Sequence, residues 1–566
     1  MARRAFSVLI VAAGLVVGLA GMLLFFRQTV GVSFPLFIGL TVTVTLLCAR
    51  AGRVPVNWRN LWPLAPAAFF ALMLAVRAQP TVALLNVGAA LALGALALHY
   101  LRRAHPLDTA ATLEHVQGVA LVGVNAAFGA PAELGGALAW LRGRSWQGRA
   151  LLAVARGLLI GLPVVIVFAL LLGAADAIFA GYLGDLWELL ALRPSGQLLW
   201  QIIYLLGFAW LATGALSWGV AWGGVARGRR YVTVLDPEGE VEVVPLEPAD
   251  DDDAPAKPKR GGSLRLGMIE AGIVLGLVNL LFAAFVLVQF AYFFGGTAFV
   301  AARGLTYAEY ARRGFFELVA VSALTLGLAL WLNRVTVRPD ARAHTVFRAL
   351  CAALAALMAV MLVSAWQRML LYEEAYGFTH LRVYAQVATL WLGALFAAFL
   401  LEVFRVRRNV FALGLLLAAT GYLATLNLLN VDLYIAERNI ARYHDGRALD
   451  LGFLAHLSVD AAPAVVPLHA ALDGRPEAQK WTGQWLLREL NKLDALRAGG
   501  ATLAAANVAR DSAWAQLDGL RASLPEYEPY FFSTGRADGY FNIYAATAEP
   551  RPPALTPTPP PSEAAE

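Results

Sequence analysis

Residues 267–294 read GMIEAGIVLGLVNLLFAAFVLVQFAYFF, a run in which Glu270 is the only charged side chain. A helix needs about 20 mostly apolar residues to cross the hydrocarbon core of a bilayer. Backbone polar groups must be hydrogen-bonded internally within lipid, so this run is predicted to be a transmembrane helix. Similar runs elsewhere bring the prediction to about eleven spans, at 6–25, 32–49, 61–77, 81–100, 150–173, 199–223, 267–294, 315–333, 347–367, 384–404 and 409–429.

The composition of the whole chain agrees with an all-α, polytopic membrane protein. Of its 566 residues, 59% are hydrophobic and only 15% are charged, whereas soluble domains carry about 25% charged residues. The net charge of +6 could suggest a nucleic-acid partner. However, the basic residues occupy short loops between apolar runs and form no basic face, so we expect membrane lipids and no nucleic acid as partners.

The distribution of arginine and lysine predicts the orientation of the spans. With the N-terminus inside, the cytoplasmic loops hold roughly three times as many of these residues as the outer loops. The sequence therefore predicts a cytoplasmic N-terminus and an extracytoplasmic C-terminus. Residues 119–130 are apolar but too few to span, and we expect them to form an interfacial or re-entrant helix.

The predicted topology divides the chain into five parts. A membrane half of six spans (1–223) is followed by a charged cytoplasmic linker (224–266) with a possible hairpin over 231–244. A second membrane half of five spans (267–429) then precedes an extracytoplasmic helical domain (430–545), in which Asp460 is a candidate helix N-cap. The Pro-rich composition of residues 546–566 is typical of disorder.

Polar residues gather in three segments that this topology places on the extracytoplasmic side. In the first, Glu309, Arg313 and Glu317 are spaced four residues apart, so they share one helix face with alternating charge. This pattern indicates a capped helix that enters the membrane with an internal ladder of ion pairs.

The second segment, 366–384, contains Glu373, Glu374, Tyr376 and Arg382. Arg382 falls in the first turn of a helix, where the helix dipole disfavours a cation, so we expect a carboxylate partner. Neighbouring carboxylates can act as general acid and base, which makes Glu373 and Glu374 weak catalytic candidates. The alternative is an interfacial turn with aromatic anchors.

The third segment runs from the end of the last span into the outer domain, and includes Asn427, Asn430 and Asp432. Asp432 is a candidate cap for the outer helix. Arg438 and Arg442 lie four residues apart on that helix and repel each other, so we expect anions beside them. These anions could be carboxylates of the neighbouring loops or lipid headgroups.

The same segments resemble a known family. The motifs YAEYARRGFFEL (307–318), YEEAYGFTHLRVY (372–384) and NLLNVD (427–432) resemble the bacterial membrane-protein family called domain of unknown function 4173 and its sibling, 4153. The resemblance covers roughly residues 265–470, and Val431 stands where the family usually has proline. It implies a multi-pass protein of the bacterial inner membrane, and it supplies no activity and no catalytic residues.

Familiar catalytic and ligand-binding signatures are missing from the sequence. Phosphate-binding loops, dinucleotide fingerprints and metal-ligand spacings are not found, so we expect no metal and no cofactor. Three functions stay open: an envelope scaffold or sensor, an outer-leaflet enzyme that acts on a lipid-linked or envelope substrate, and a transporter. The first could bind an envelope protein or a lipid-linked ligand, and the last would need a water-lined cavity that reaches Asn279 or Gln289.

Overall fold

The computed structural model describes residues 3–103, 105–142, 195–220, 231–235, 241–245, 266–294, 315–404, 409–472, 474–499, 502–524 and 542–543. Helices make up most of this part of the chain, which confirms the all-α class. The helices are α1 (Arg3–Phe25), α2 (Ser33–Ala51), α3 (Leu64–Val76), α4 (Pro80–Tyr100), α5 (Thr112–Phe128), α6 (Ala130–Arg142), α7 (Ser195–Val220), α8 (Met268–Phe294), α9 (Phe315–Val335), α10 (Ala341–Tyr376), α11 (His380–Phe404), α12 (Val410–Leu429), α13 (Val431–His444), α14 (Leu451–Leu454), α15 (Ala462–Ala471), α16 (Pro476–Ala498) and α17 (Val508–Leu520).

Ten of the described helices are long and apolar enough to cross a membrane: α1 to α4 and α7 to α12, with α3 extended by the 3-10 turn Trp58–Leu61. Ten of the predicted spans are thereby found as helices, and the remaining one, 150–173, lies outside the described residues. Helix α10 is longer than the predicted span. Its 36 residues extend for roughly 54 Å at 1.5 Å per residue, so α10 is longer than a bilayer core of about 30 Å.

The apolar stretch 119–130 falls in a pair of helices, α5 and α6, that meet at a bend of 48°. Beside the bend, the Asn125 side chain donates a hydrogen bond to the Gly214 carbonyl in α7. Farther out, Gly118 in α5 packs against His99 near the end of α4, and Gly136 in α6 packs against Ser7 near the start of α1. Since these chain ends lie at the same end of the bundle, the contacts favour a re-entrant path, which stays a prediction.

The ends of the spanning helices form two groups, as expected for alternating spans. At one end, segments that are distant in the sequence contact each other. Leu266 N donates a hydrogen bond to the Val335 carbonyl, and Asn409 Nδ2 donates one to the Thr109 carbonyl. At the other end, the loops after α1, α3, α10 and α12 contact the C-terminal helices. We call this second group the domain end of the bundle.

Helices α1 and α7 pack closely because small residues line their contact. A Cβ atom added to Gly14 would lie 2.0 Å from Thr213 Oγ1, and one added to Gly18 would lie 2.5 Å from the Leu205 carbonyl oxygen. Small residues allow such close backbone approach between membrane helices. The second half packs α8 to α11 around an apolar core that includes Phe347, and α12 joins the halves by packing against α3 and α4.

Two short antiparallel strand pairs complete the described structure. Strands β1 (Tyr231–Leu235) and β2 (Val241–Pro245) form the hairpin that the sequence predicts within 231–244. Strands β3 (Leu449–Asp450) and β4 (Asn542–Ile543) pair in the C-terminal domain. Residues 546–566 lie outside the described residues.

The C-terminal domain is a small group of helices with its own apolar core. One apolar face of α16 supplies its centre, where Leu486 and Leu490 are fully buried and Trp485 is nearly so. Side chains of α13, α15 and α17 pack around this centre, and Val383 and Val387 of α11 belong to the same core. The domain core is therefore continuous with the membrane bundle.

Candidate functional site

The sequence-predicted polar residues that the structure describes are found largely where the C-terminal domain meets the domain end of the bundle. We call this contact the junction. It comprises residues 26–32, 74–79, 86, 372–384 and 427–430 of the bundle, and residues 431–447, 458–461 and 502–510 of the domain.

Asp432 connects the bundle to two parts of the domain. Its Oδ1 accepts a hydrogen bond from His380 Nε2 at 2.6 Å, and its Oδ2 accepts one from the Ser458 backbone N–H at 2.7 Å. Asp432 is 1% exposed. The prediction that it caps α13 is wrong, because the cap position is taken by Asn430, which adopts a left-handed conformation with φ 51° and makes no side-chain cap bond.

Asp460 makes a second buried connection. Its Oδ2 accepts hydrogen bonds from the Ala78 N–H at 2.8 Å and from Ser458 Oγ at 3.2 Å. Burial raises the pKa of the Asp460 carboxyl above its ordinary value. The prediction that Asp460 is a helix N-cap is wrong, because it lies inside a 3-10 turn, while Ala461 precedes α15 and Asp460 itself bonds the loop after α3.

Asn427 pairs with a residue that the sequence analysis did not select, Asn86 of α4. The two amides exchange hydrogen bonds of 2.7 and 2.8 Å, and both residues are fully buried. Arg77 Nε donates to the Asn427 carbonyl at 2.8 Å. This pair therefore joins the two membrane halves directly beneath the domain.

Asn507 joins the other side of the domain to the bundle. Its Nδ2 donates to the carbonyls of Leu74 and Arg77, both at 2.9 Å, while its Oδ1 caps α17 by accepting from Arg510 N. Asn507 is 1% exposed. One side chain thus satisfies the C-terminal carbonyls of one helix and the N-terminus of another, groups that a helix cannot satisfy internally.

The turn between α10 and α11 is held by α13. The Asn439 amide accepts from Phe378 N at 2.8 Å and donates to Phe378 O at 2.9 Å. Arg442 donates twice to the Glu374 carbonyl, at 2.6 and 3.0 Å. Gly377 has φ 84°, and a Cβ there would lie 2.7 Å from Asn439 Oδ1, so the close contact requires glycine.

Glu373 and Glu374 do not form a matched pair of carboxylates. Glu373 is fully buried, and neither of its carboxylate oxygens has a hydrogen-bond partner among the described residues. Glu374 is exposed, with Oε1 3.7 Å from an Arg447 nitrogen. The two carboxyl groups therefore occupy different environments.

Arg382 contacts a carbonyl and a ring. Its guanidinium donates to the Gly377 carbonyl and lies over the Tyr372 ring, 4.1 Å from the centroid. Among the described residues it makes no ion pair, so the predicted carboxylate partner is not found there. Glu373 is the carboxylate on which Arg382 acts electrostatically at longer range.

The remaining predicted residues are exposed or lie outside the described residues. Glu309 and Arg313 lie outside the described residues, and Glu317 is exposed in the first turn of α9. Tyr376 is exposed and contacts the Tyr372 ring edge-on. Arg438 is exposed and lies 5.2 Å from the Tyr434 ring centroid. Carboxylates of the neighbouring segment do act on the two arginines, Glu373 on Arg438 and Glu374 on Arg442.

The described residues contain no group of three or more His, Cys, Asp or Glu side chains arranged to hold a metal ion. The Asn279 amide, considered for a transport cavity, donates to the carbonyls of Leu275 and Leu350 at 2.9 and 3.1 Å. The side chain of Gln289 lies outside the described part of the structure.

Sequence reasoning missed several residues of the junction: Arg77, Asn86, Asn439, Asn507 and Gln79. The Gln79 amide donates to the Tyr384 hydroxyl at 2.9 Å. Asn86 gave the clearest available signal, because it is an amide inside an apolar run and such groups need a partner in lipid. Asn507 precedes a helix, which predicts a cap. Its two bonds to α3 depend on a contact between positions more than 400 residues apart.

A protein-family model described as "Domain of unknown function (DUF4153)" matches residues 64–468. The chain belongs to this family. The match agrees with the resemblance read from the motifs, and it begins about 200 residues earlier, within α3. Arg77, Asn86, Asn427, Asp432 and Asp460 fall within the matched range, whereas Asn507 follows it.

No curated protein matches the chain, and no solved structure does so either. The family description names no activity. Any functional conclusion therefore depends on the geometry of the junction.

Proposed function

We propose that this protein is a non-enzymatic scaffold or sensor of the bacterial inner membrane, which holds its helical domain in a fixed position on the extracytoplasmic side. The orientation rests on the excess of basic residues in the loops at the opposite end of the bundle. The fixed domain would present a surface to an envelope protein or to a lipid-linked ligand.

The observation that carries the proposal is the way in which the domain is attached. Asp432, Asp460 and Asn507 are each at most 3% exposed, and each bonds a group of the bundle. Buried polar groups that lose their partners cost free energy, so such contacts favour one arrangement of domain and bundle.

The enzyme alternative depends on Glu373 alone. A buried carboxylate without a hydrogen-bond partner among the described residues is a recognised mark of a functional site. However, an acid–base pair requires both carboxylates to reach one substrate, and Glu374 is exposed while Glu373 is buried. The transporter alternative would need a cavity at Asn279, whose amide nitrogen donates to two backbone carbonyls while its amide oxygen has no hydrogen-bond partner among the described residues.

The test compares a deletion strain with strains that express either of two variants. The first variant carries Glu373→Gln and Glu374→Gln, and the second carries Asp432→Ala and Asp460→Ala. The proposal predicts that the second variant shares the envelope sensitivity of the deletion strain, while the first keeps the lipid and metabolite profile of the wild type.

A lipid or metabolite that accumulates in both the deletion strain and the glutamine variant would instead support an enzyme. Membrane insertion of every variant is checked first, by extraction and by protease protection. This control separates loss of the domain contact from loss of the protein.

A further inference from the structure

In the described part of the C-terminal domain, the large exposed apolar side chains lie in one stretch of sequence. Within the described residues of 431–524, the large apolar side chains that are exposed are Leu496, Leu503 and Val508, at 37%, 90% and 61%. They surround the 3-10 turn Leu503–Ala505, which connects α16 to α17. A single exposed leucine is ordinary, but here Leu503 in the turn is flanked by two further exposed apolar residues, one in each adjoining helix.

This turn is attached to the loop between α1 and α2. Val32 N donates to the Ala506 carbonyl at 3.0 Å, and Thr502 donates to Gln28 Oε1 through its backbone N–H and its hydroxyl. Gly31 lies so close that a Cβ atom there would be 2.3 Å from the Ala506 oxygen. The turn is therefore fixed at the level where the spanning helices end.

The surface of the bundle next to this turn is also apolar. Leu23 near the end of α1 is 63% exposed, and Val30 in the following loop is 40% exposed. In a membrane helix, such side chains face lipid. The exposed side chains of the turn continue that surface beyond the end of the span.

We propose that residues 502–508, with Leu496, form a lipid anchor, in which Leu503 and Val508 enter the leaflet on the domain side of the membrane. Leu503 is inserted at the boundary between headgroups and acyl chains. Arg27, exposed beside Gln28, lies at the level of the lipid phosphates and supplies a cation for them.

The bilayer suits this surface better than a protein partner does. A stable protein–protein contact buries about 800 Å² on each partner, far more than these three side chains provide. Insertion into lipid needs no matching partner surface, and an adjoining lipid-facing surface is already present. The inference is independent of the scaffold proposal, because an enzyme could carry the same anchor.

The test places an environment-sensitive fluorophore (NBD) at position 503 in the full chain, through Leu503→Cys, in nanodiscs of phosphatidylcholine and phosphatidylglycerol. The native Cys48 and Cys351 are buried, and wild-type protein carried through the labelling corrects for any reaction with them. Ser523→Cys is the control, because it changes one atom at an exposed position of the same domain.

We expect blue-shifted emission from position 503, and quenching by bromines placed about 5–10 Å below the headgroup boundary. The label at position 523 should emit as in water and respond to soluble iodide. If the label at 503 is as open to iodide as the label at 523, and bromolipids do not quench it, the anchor is refuted. Blue-shifted emission without bromolipid quenching would indicate a protein contact and would also refute it.

Discussion

Replacing Asn507 with aspartate should loosen the domain without removing the cap of α17. The carboxylate can still accept from Arg510 N, as the amide oxygen does. Its second oxygen would face the carbonyls of Leu74 and Arg77, to which the amide nitrogen now donates. Two donated hydrogen bonds are therefore replaced by repulsion in a buried site.

The expected cost follows from these contacts. Two neutral hydrogen bonds contribute about 1 kcal/mol each, and a buried carboxylate without a partner adds to the loss. A change of about 2 kcal/mol corresponds to a roughly 30-fold larger population of the undocked state.

Native-state hydrogen exchange measures that population directly. The amides of Ala78 and Phe378 are suitable reporters, because each donates to a side chain of the domain. Both should exchange roughly 30-fold faster in the variant. Asp450→Asn is the control, because Asp450 caps α14 inside the domain and the amide oxygen can replace it. Acceleration below about threefold, or equal to that of the control, would show that Asn507 does not hold the domain.

Three further predictions concern other junction residues. Gly377→Ala should destabilise the protein by about 1 kcal/mol more than Gly474→Ala does in thermal unfolding. Both glycines have positive φ, but only a Cβ added at position 377 would meet other atoms. Equal melting temperatures of the two variants would contradict this. In a double-mutant cycle, the variant with both Asn86→Leu and Asn427→Leu should lose less stability than the sum of the losses in the two single variants. We expect a coupling energy of roughly 0.5–2 kcal/mol, and strict additivity would argue against the amide pair. Burial in the docked state raises the pKa of Asp460, so the docked state binds this proton more tightly than the undocked state does. The stability of docking should therefore fall as pH rises from the ordinary aspartate range through the raised pKa. The protection factor of the Phe378 amide, in which the intrinsic pH dependence of amide exchange is divided out, measures this slope. The slope should disappear in Asp460→Asn, and an unchanged slope would assign it to another group.

The membrane bundle could be predicted from the sequence because each span depends on local composition alone. Residues 267–294 are apolar enough to require a helix in lipid wherever the rest of the chain lies. The same holds for the apolar face of α16, whose residues Leu486 and Leu490 repeat at helical spacing. The end of α10 could be predicted as well, because a glycine is a typical helix stop, and the helix does end at Tyr376 with Gly377 as its C-cap.

The junction could be predicted only in part. Segments 372–384 and 427–442 do meet, and their shared end of the bundle followed from counting spans. Their bonding partners did not follow, because charge pairing is only one way to satisfy Arg382, and here a carbonyl and the Tyr372 ring do so. Asp432 and Asp460 were read as caps from local sequence, whereas both bond groups that are distant in the chain.

A disulfide between the domain and the bundle tests whether the domain is held in a fixed position. Val32→Cys and Ala506→Cys place thiols at a backbone contact of 3.0 Å, and a disulfide between them would join the bundle loop to the domain. Val32→Cys with Ser523→Cys serves as the unpaired control. We expect the first pair to crosslink in native membranes, and the locked protein to restore a deletion strain as well as the wild type does. Failure to crosslink without denaturation would contradict the docked arrangement, and loss of function that a reductant reverses would show that the domain must move to act.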